Sequence, residues 1–426
     1  MINEICGYID DKKENILKDC SNIIKIPSIS KNINDVKKCL DFALNLGKEY
    51  GFKVYKTKNS DVGVIEYGEG DETVGILVHV DVVDYGDINK WEKDPCSGFV
   101  DDENVWGRGA VDDKGPLIAS LYAMRALKES GVDVNKKIQL IIGTQEEVEW
   151  SDMNNYIKEF KLPDYGFTPD GSFPIENREK GYADVELFFD RENFTNESVR
   201  IVEISSGDSV NTIPSKAEII FEIINNFKQV LNEIEKISAD KLEFVNDNTV
   251  KLTFYGISGH SSLPEKVDNV IYKMFKSICK FSYLPLDFKN MHDFIMKYVV
   301  DDFYGKRLGF YEQDPYYKGE YMGYTTITPT IVHSDVNKYV INLNMRTRFG
   351  TTKDSIIKTF SSTKKYKFNF TVSNYLDPLY IERDRKFLNE MASAYELISG
   401  YKNDFIIASG TSYAKAMPNI VSWGPI

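Results

Sequence analysis

Apolar positions fall into two textures along the chain. In the first part, stretches with helical spacing alternate with short runs that are apolar almost throughout. Lys37 to Phe52, KKCLDFALNLGKEYGF, carries apolar residues at helical spacing and is predicted to stop near Gly51. GVIEYG and TVGILVHVDVV are β-branched runs, the second dense enough for a strand buried on both faces. GPLIASLYAMRALKESG predicts a helix with Gly115-Pro116 at its start and Gly131 beyond its end. KKIQLIIGTQEE reads as another buried strand. Strands alternating with helices predict an α/β domain whose mostly parallel sheet is covered on both sides.

The texture changes around Lys180-Gly181. ADVELFFD, VRIVEISS, AEIIFEII and VKLTFYGI alternate apolar and polar positions, as half-exposed strands do, with amphipathic helices between them. TTITPTIVHSDVNKYVINLNMRTRF and KFNFTVSNYL repeat the mixture. An inserted two-part α+β domain is expected. From about Arg383 a long helix, KFLNEMASAYELISGY, a strand-like IIAS and a glycine turn return to the first domain. The expected boundaries are residues 1–181, 182–381 and 382–426.

Composition narrows the function classes. The net charge of −13 over 426 residues repels nucleic acid and anionic membranes, so neither is expected as a partner. No window reaches the about 18 apolar residues that span a bilayer. The N-terminus lacks the unbroken apolar core of a signal peptide. Cys6, Cys20, Cys39, Cys96 and Cys279 are odd in number, with no CxxC spacing. Reduced thiols and a cytoplasmic location are expected.

Chemistry concentrates where the apolar runs end. His79 lies two residues before Asp81, so both side chains project from one face of a strand and meet at its end. A metal-binding histidine needs an acceptor on its second nitrogen, which a nearby carboxylate supplies; a core histidine satisfied by an aspartate would read the same way. WGRGAVDDKGP brings Asp112 and Asp113 to the start of a helix, where acids also serve as caps. Glu146 and Glu147 end the IIGTQEE strand, and Asp170 follows in GFTPDGSFP. In an open parallel sheet such segments gather at the carboxyl ends of the strands. Carboxylates crowded there repel one another, and divalent cations offset that repulsion. Nitrogen and oxygen ligands without cysteine suit zinc or manganese.

VHVDVV, WEKDPCSGF, WGRGAVDDKGP, TQEEVEWSDMNNY and GFTPDGSFPIENREKG follow in an order that resembles one family. It is that of the two-metal aminoacylases, acetylornithine deacetylases and carboxypeptidases, in its dipeptidase V branch of Xaa-His or carnosine-type dipeptidases. NTIP at Asn211, YGISGHSSLPEKVDNVI at His260 and NLNMRTRFG at Arg346 extend the resemblance over nearly the whole chain. The resemblance implies a zinc-peptidase-like catalytic domain with an inserted lid, and hydrolysis of dipeptides by a metal-activated water. His79, Asp112 and Asp170 would bind one metal. Asp112 would bridge to a second, also held by Glu147. Glu146 would act as general base and Asp81 would orient His79. His260 would stabilise the oxyanion, while Asn211 and Arg346 would hold the substrate, Arg346 through its terminal carboxylate. Zinc, two ions per site, or manganese is the implied cofactor. His292 and His333 lack partner motifs and are expected to be structural or exposed.

The end of the chain departs from the resemblance. The family continues from a glycine-rich turn to a histidine that completes the second metal site, then to a final helix. Here the turn reads ASGTSYAKAMPNIVSWGP, with Ser409 and Lys415 at positions usually glycine and arginine, and no histidine follows His333. A chain shortened at its C-terminus relative to the family is therefore expected. Its second metal site keeps only Asp112 and Glu147, fewer than the roughly three protein ligands usual at catalytic zinc. Weak occupancy of that site is the expectation. Three activities stay open: dipeptide hydrolysis, N-acyl amino-acid deacylation, and peptide or metal binding by an impaired relative. A lid of about 200 residues resembles the monomeric branch, so a monomer acting on small peptides is expected.

Overall fold

A computed structural model describes residues 2–102, 104–192, 197–363 and 365–426. The chain divides into two compact units, Met1–Arg178 with Leu379–Ile426, and Glu179–Pro378.

The first unit is built on a nine-stranded sheet. Across it run Lys53–Lys56, Gly63–Tyr67, Lys137–Gly143, Thr73–His79, Tyr165–Thr168, Ile420–Ser422, Glu176–Glu179 and Leu379–Tyr380, with Ile406–Ala408 beside Glu176–Glu179. The four strands from Lys137–Gly143 to Ile420–Ser422 run parallel. Lys53–Lys56 and Gly63–Tyr67 pair antiparallel because a short turn joins them.

Period two sorts the sheet's side chains onto two faces. Ile65, Ile76, Val78, Leu140 and Ile142 pack against the helices Lys13–Ile24, Ile33–Glu49 and Lys114–Glu129. Their neighbours Val64, Leu77 and Ile141 face the other way, onto Met153, Tyr156, Tyr413 and Met417. The dense apolar runs of the sequence thus belong to strands buried on both faces. The helix predicted over 37–52 spans Ile33–Glu49, starting four residues earlier. The polar Lys31-Asn32 turn opens it, with the Asn32 carbonyl accepting from the Asp35 and Val36 amides.

The second unit holds an eight-stranded sheet whose recorded pairings are all antiparallel. Its order is Lys241–Asn246, Thr249–Tyr255, Lys216–Ile223, Val199–Ser206, Thr326–Ser334, Lys338–Thr347, Gly181–Asp190 and Asn369–Leu376. The middle pairing rests on only Ser205 opposite His333 and Ser206 opposite Val332, which leaves two four-stranded halves. Helices Phe227–Ile234, Val270–Ile278, Leu286–Tyr298 and Lys353–Ser362 bring apolar residues onto one core with Ile341, Leu343 and Met345 of the sheet. On the opposite side of the same strand stand Asn342, Asn344 and Arg346, all buried. A small two-stranded ribbon, Thr212–Ile213 with Gly259–His260, contacts the Thr326–Ser334 strand.

Candidate metal centre

Strand register decides which side chains meet. His79 ends its strand directly opposite Gly143, the last residue of the neighbouring parallel strand. Glu146 and Glu147 therefore leave the sheet beside His79, and Asp170 leaves it two residues after the strand ending at Thr168. Asp112 and Asp113 stand at the N-terminus of the Lys114–Glu129 helix. All of these acids belong to the first unit, and Glu146, Glu147 and Asp170 follow the carboxyl ends of its parallel strands.

The imidazole is the hub. His79 Nδ1 is 2.9 Å from the backbone carbonyl of Asp81 and 3.5 Å from its Oδ1. Asp81 thus meets the ring through its carbonyl, with its carboxylate further off. On the other side, Nε2 is 2.9 Å from Asp112 Oδ1 and 3.7 Å from Asp170 Oδ2. Donor atoms of His79, Glu146 and Asp170 all lie within 4.8 Å of one another. Oε1 of Glu146 is shielded from solvent without a hydrogen-bond partner among the described residues. So is Oδ1 of Asp113, whose Oδ2 accepts the His79 amide at 3.2 Å.

Two buried carboxylates fix the turn bearing the glutamates. Asp81 accepts the amides of Glu146 at 3.1 Å and Glu147 at 3.2 Å, and the Ser30 hydroxyl at 2.9 Å. Asp152 Oδ2 accepts the amides of Thr144 at 2.7 Å and Gln145 at 3.0 Å, and the Tyr413 hydroxyl at 2.6 Å. Tyr413 lies edge-on to His79 and to Trp150, and its ring occupies the space a side chain at Gly143 would need. Trp150 donates to the Glu146 carbonyl at 2.7 Å.

The electrostatics follow from burial and like charge. Burial pushes the Glu146 carboxyl well above its usual range, and Asp170, Glu147 and Asp81 push the same way. Glu147 is pushed up to about 7 by burial and by Asp112. Burial alone would depress His79, yet Asp112, Asp170 and Asp81 hold it well above its usual value. Burial also raises Asp112, but the hydrogen bond and charge of His79 outweigh it and leave that carboxyl low. Protons stand in these groups where a cation would relieve the same repulsion.

The second unit gathers the other sequence-predicted residues. His260 pairs across the small ribbon with Thr212, next to Asn211, and the Ser261 amide donates to the Asn211 carbonyl at 2.9 Å. Asn211 Oδ1 accepts from the hydroxyls of Ser209 at 2.6 Å and Thr212 at 3.3 Å. His260 Nδ1 is 2.6 Å from the Ser262 hydroxyl. Burial first, and the charge of Arg346 second, lower its imidazole and keep it neutral at pH 7. The Arg346 guanidinium lies 4.7 Å from the Tyr182 ring. Arg348 is instead engaged by Glu312 at 2.7 Å. His292 is buried with Nε2 3.2 Å from the Phe275 carbonyl, and His333 is exposed.

Asp152, Tyr413, Ser30 and the buried Asp113 were not foreseen in these roles. Asp152 carried one weak signal, an acid in the first turn of a helix, where acids are common. Tyr413 carried none, because its partner lies 261 residues away. Among the described residues, no helix is long and apolar enough to cross a membrane.

Comparison with known proteins gives a consistent result. The profile of "Peptidase family M20/M25/M40" matches residues 75–425. A Bacillus subtilis (strain 168) protein, YtjP, whose name as a dipeptidase is provisional, is 30% identical over 97% of this chain and 90% of its own. The Beta-Ala-Xaa dipeptidase of Lactobacillus delbrueckii subsp. lactis is 27% identical over 97% of this chain and 89% of its own. The crystal structure of human carnosine dipeptidase 1 superposes with a TM-score of 0.59 at 15% identity, covering 99% of this chain and 91% of that one.

Proposed function

The chain belongs to peptidase family M20/M25/M40, whose members include dinuclear metal-binding peptidases, and on that premise we propose that it is a metal-dependent dipeptidase. One observation carries the reading: an imidazole and carboxylates from separate strands bring their donor atoms within 4.8 Å of one another. The residues fit a cation. His79 Nε2 is aimed at the Asp112 and Asp170 carboxylates, Glu146 Oε1 is buried without a partner among the described residues, and the set offers nitrogen and oxygen donors only. His79, Asp112 and Asp170 would hold a first divalent cation, zinc or manganese, and Asp112 with Glu147 a second. Asp112 and Glu147 offer the second cation carboxylates alone, so they would hold it more weakly than the set containing His79 holds the first. Such a cation lowers the pKa of water towards neutrality and polarises a carbonyl.

The chain's own residues do the rest. Glu146 takes the proton from the attacking water and passes it to the leaving amine, a step suited to its raised pKa. Asp81 keeps this arrangement in place, its carbonyl on the His79 ring and its carboxylate on the two glutamate amides. In the inserted unit, Arg346 pairs with the terminal carboxylate of the dipeptide and Asn211 binds the peptide. Neutral His260, with Nδ1 taken by Ser262, donates from Nε2 to the developing oxyanion. We place the enzyme in the cytoplasm as a monomer, consistent with five free cysteines.

A panel of free and N-acylated dipeptides with added zinc or manganese tests the reading. Cleavage of the free peptides supports it. Cleavage of acylated substrates alone would make the protein a deacylase, and binding without turnover an impaired relative.

A further inference from the structure

The second unit contains a polar network that the proposed reaction does not use. Asp184 is 1% exposed on the strand Gly181–Asp190, directly opposite Asn344, with Tyr182 opposite Arg346. Its Oδ1 accepts from Asn344 Nδ2 at 3.1 Å. Its Oδ2 accepts from the Tyr182 hydroxyl at 2.8 Å and from Asn374 Nδ2 at 3.2 Å. Asn344 Oδ1 in turn accepts from the Ser261 hydroxyl at 2.7 Å, beside His260. Tyr182 also lies against the Arg346 guanidinium. Asn374 reaches Asp184 from a bulge on the edge strand, with φ of 49°, and bulges re-aim side chains in this way.

Stability alone does not account for such a network. The opposite face of the same strand is filled by Ile341, Leu343 and Met345, and apolar filling is as stable as a buried carboxylate or more so. What a satisfied polar network adds is a unique arrangement. Resting on the dipeptidase reading, we propose that Asp184 is a positioning residue: through Tyr182 it orients Arg346, and through Asn344 and Ser261 it fixes the loop that carries His260. One carboxylate thereby couples recognition of the substrate's terminus to the group on the oxyanion.

The test compares Asp184→Asn, Tyr182→Leu and Tyr182→Phe in the full chain, on a dipeptide and on its C-terminal amide. Asp184→Asn and Tyr182→Leu should raise KM for the free acid about tenfold or more, the cost of losing a well-aimed guanidinium–carboxylate pair. The amide, which lacks that carboxylate, should keep its KM within about threefold. Tyr182→Phe keeps the ring but removes the hydroxyl bond through which Asp184 acts, so it should raise KM for the free acid as Asp184→Asn does and leave the amide within about threefold. Equal KM losses on acid and amide, or none on either, would overturn the proposal. A second readout does not depend on activity. In arginine-labelled protein, the Nε–H of Arg346, assigned by its loss in Arg346→Lys, should exchange about tenfold faster in Asp184→Asn or, if that variant does not fold, in Tyr182→Leu. Wild-type protein that cleaves no dipeptide would sink the dipeptidase reading and leave this readout to decide. Unchanged exchange in the folded variant would overturn the positioning role by itself.

Discussion

Replacing Asp152 with asparagine removes a charge while keeping the shape, and the structure sets the size of the effect. Oδ2 of Asp152 holds three donors, the amides of Thr144 and Gln145 and the hydroxyl of Tyr413, and Oδ1 holds the Met153 amide at 2.7 Å. The new amide has one oxygen. If it faces the three donors, each bond loses its charge assistance, about 2 kcal/mol in all. The amide nitrogen then faces the Met153 N–H and leaves it unsatisfied, for about 1–3 kcal/mol. Relief of the buried charge, seen in the raised pKa of Asp152, returns part of this. A net destabilisation of about 2–4 kcal/mol is expected. Tyr413→Phe alone should cost about 1.5–3 kcal/mol, and in the Asp152→Asn background about 1 kcal/mol less, since the two share a bond. All four tryptophans, Trp91, Trp106, Trp150 and Trp423, lie in the first unit, so their fluorescence during urea unfolding of metal-free protein reports that unit alone. The turn carrying Glu146 and Glu147 should loosen as well, lowering zinc affinity about tenfold or more. An Asp152→Asn variant within about 0.5 kcal/mol of wild type, or one strictly additive with Tyr413→Phe, would refute the reasoning.

Glu146→Gln should lower kcat about 10²- to 10⁴-fold with bound metal retained, as loss of a general base requires; loss of metal in elemental analysis would make Glu146 a ligand instead. Arg346→Lys should raise KM for dipeptides about tenfold with kcat nearly unchanged, because a forked contact and its stacking on Tyr182 are lost. His260→Ala should lower kcat about 10²- to 10³-fold with little change in KM, measured by steady-state kinetics. Glu147 has a folded-state pKa raised from 4.5 to about 7. Its contribution to the stability of metal-free protein is therefore fully present below pH 4.5 and lost as pH rises through about 7. Cation binding at pH 6 must then displace its proton, and calorimetry in buffers of different ionisation enthalpy should detect about one proton or more released per cation; release of none would contradict the assignment.

Much of the fold was legible because its strands are buried on both faces. TVGILVH and KIQLIIG have no polar alternation to confuse, and each is a central strand of the parallel sheet. Helix ends were less legible, as the early start at Ile33 shows: Asn32 is a common cap residue, but here it caps through its backbone carbonyl and its side chain makes no cap hydrogen bond. At the metal centre the sequence displayed each acid at the end of an apolar run, and pairing of His79 with Gly143 brings them together. What supports those acids was not legible. Asp152 meets Tyr413, and Asp184 meets Asn374, through contacts separated by 261 and 190 residues, which no local pattern encodes. Arg346 lies on the buried polar face with Asn344, while Arg348, beyond the end of the strand, is engaged by Glu312.

The central claim is that His79 and the surrounding carboxylates share a site because they hold divalent cations that hydrolysis requires. Zinc titration of metal-free protein, followed by calorimetry and elemental analysis beside His79→Ala, tests it most directly. We expect one tightly bound cation that is lost in His79→Ala, a second and weaker one, and dipeptide turnover that rises with occupancy. Two equally tight cations would contradict the division of ligands, and unchanged binding in His79→Ala, or none in wild type, would contradict the account itself.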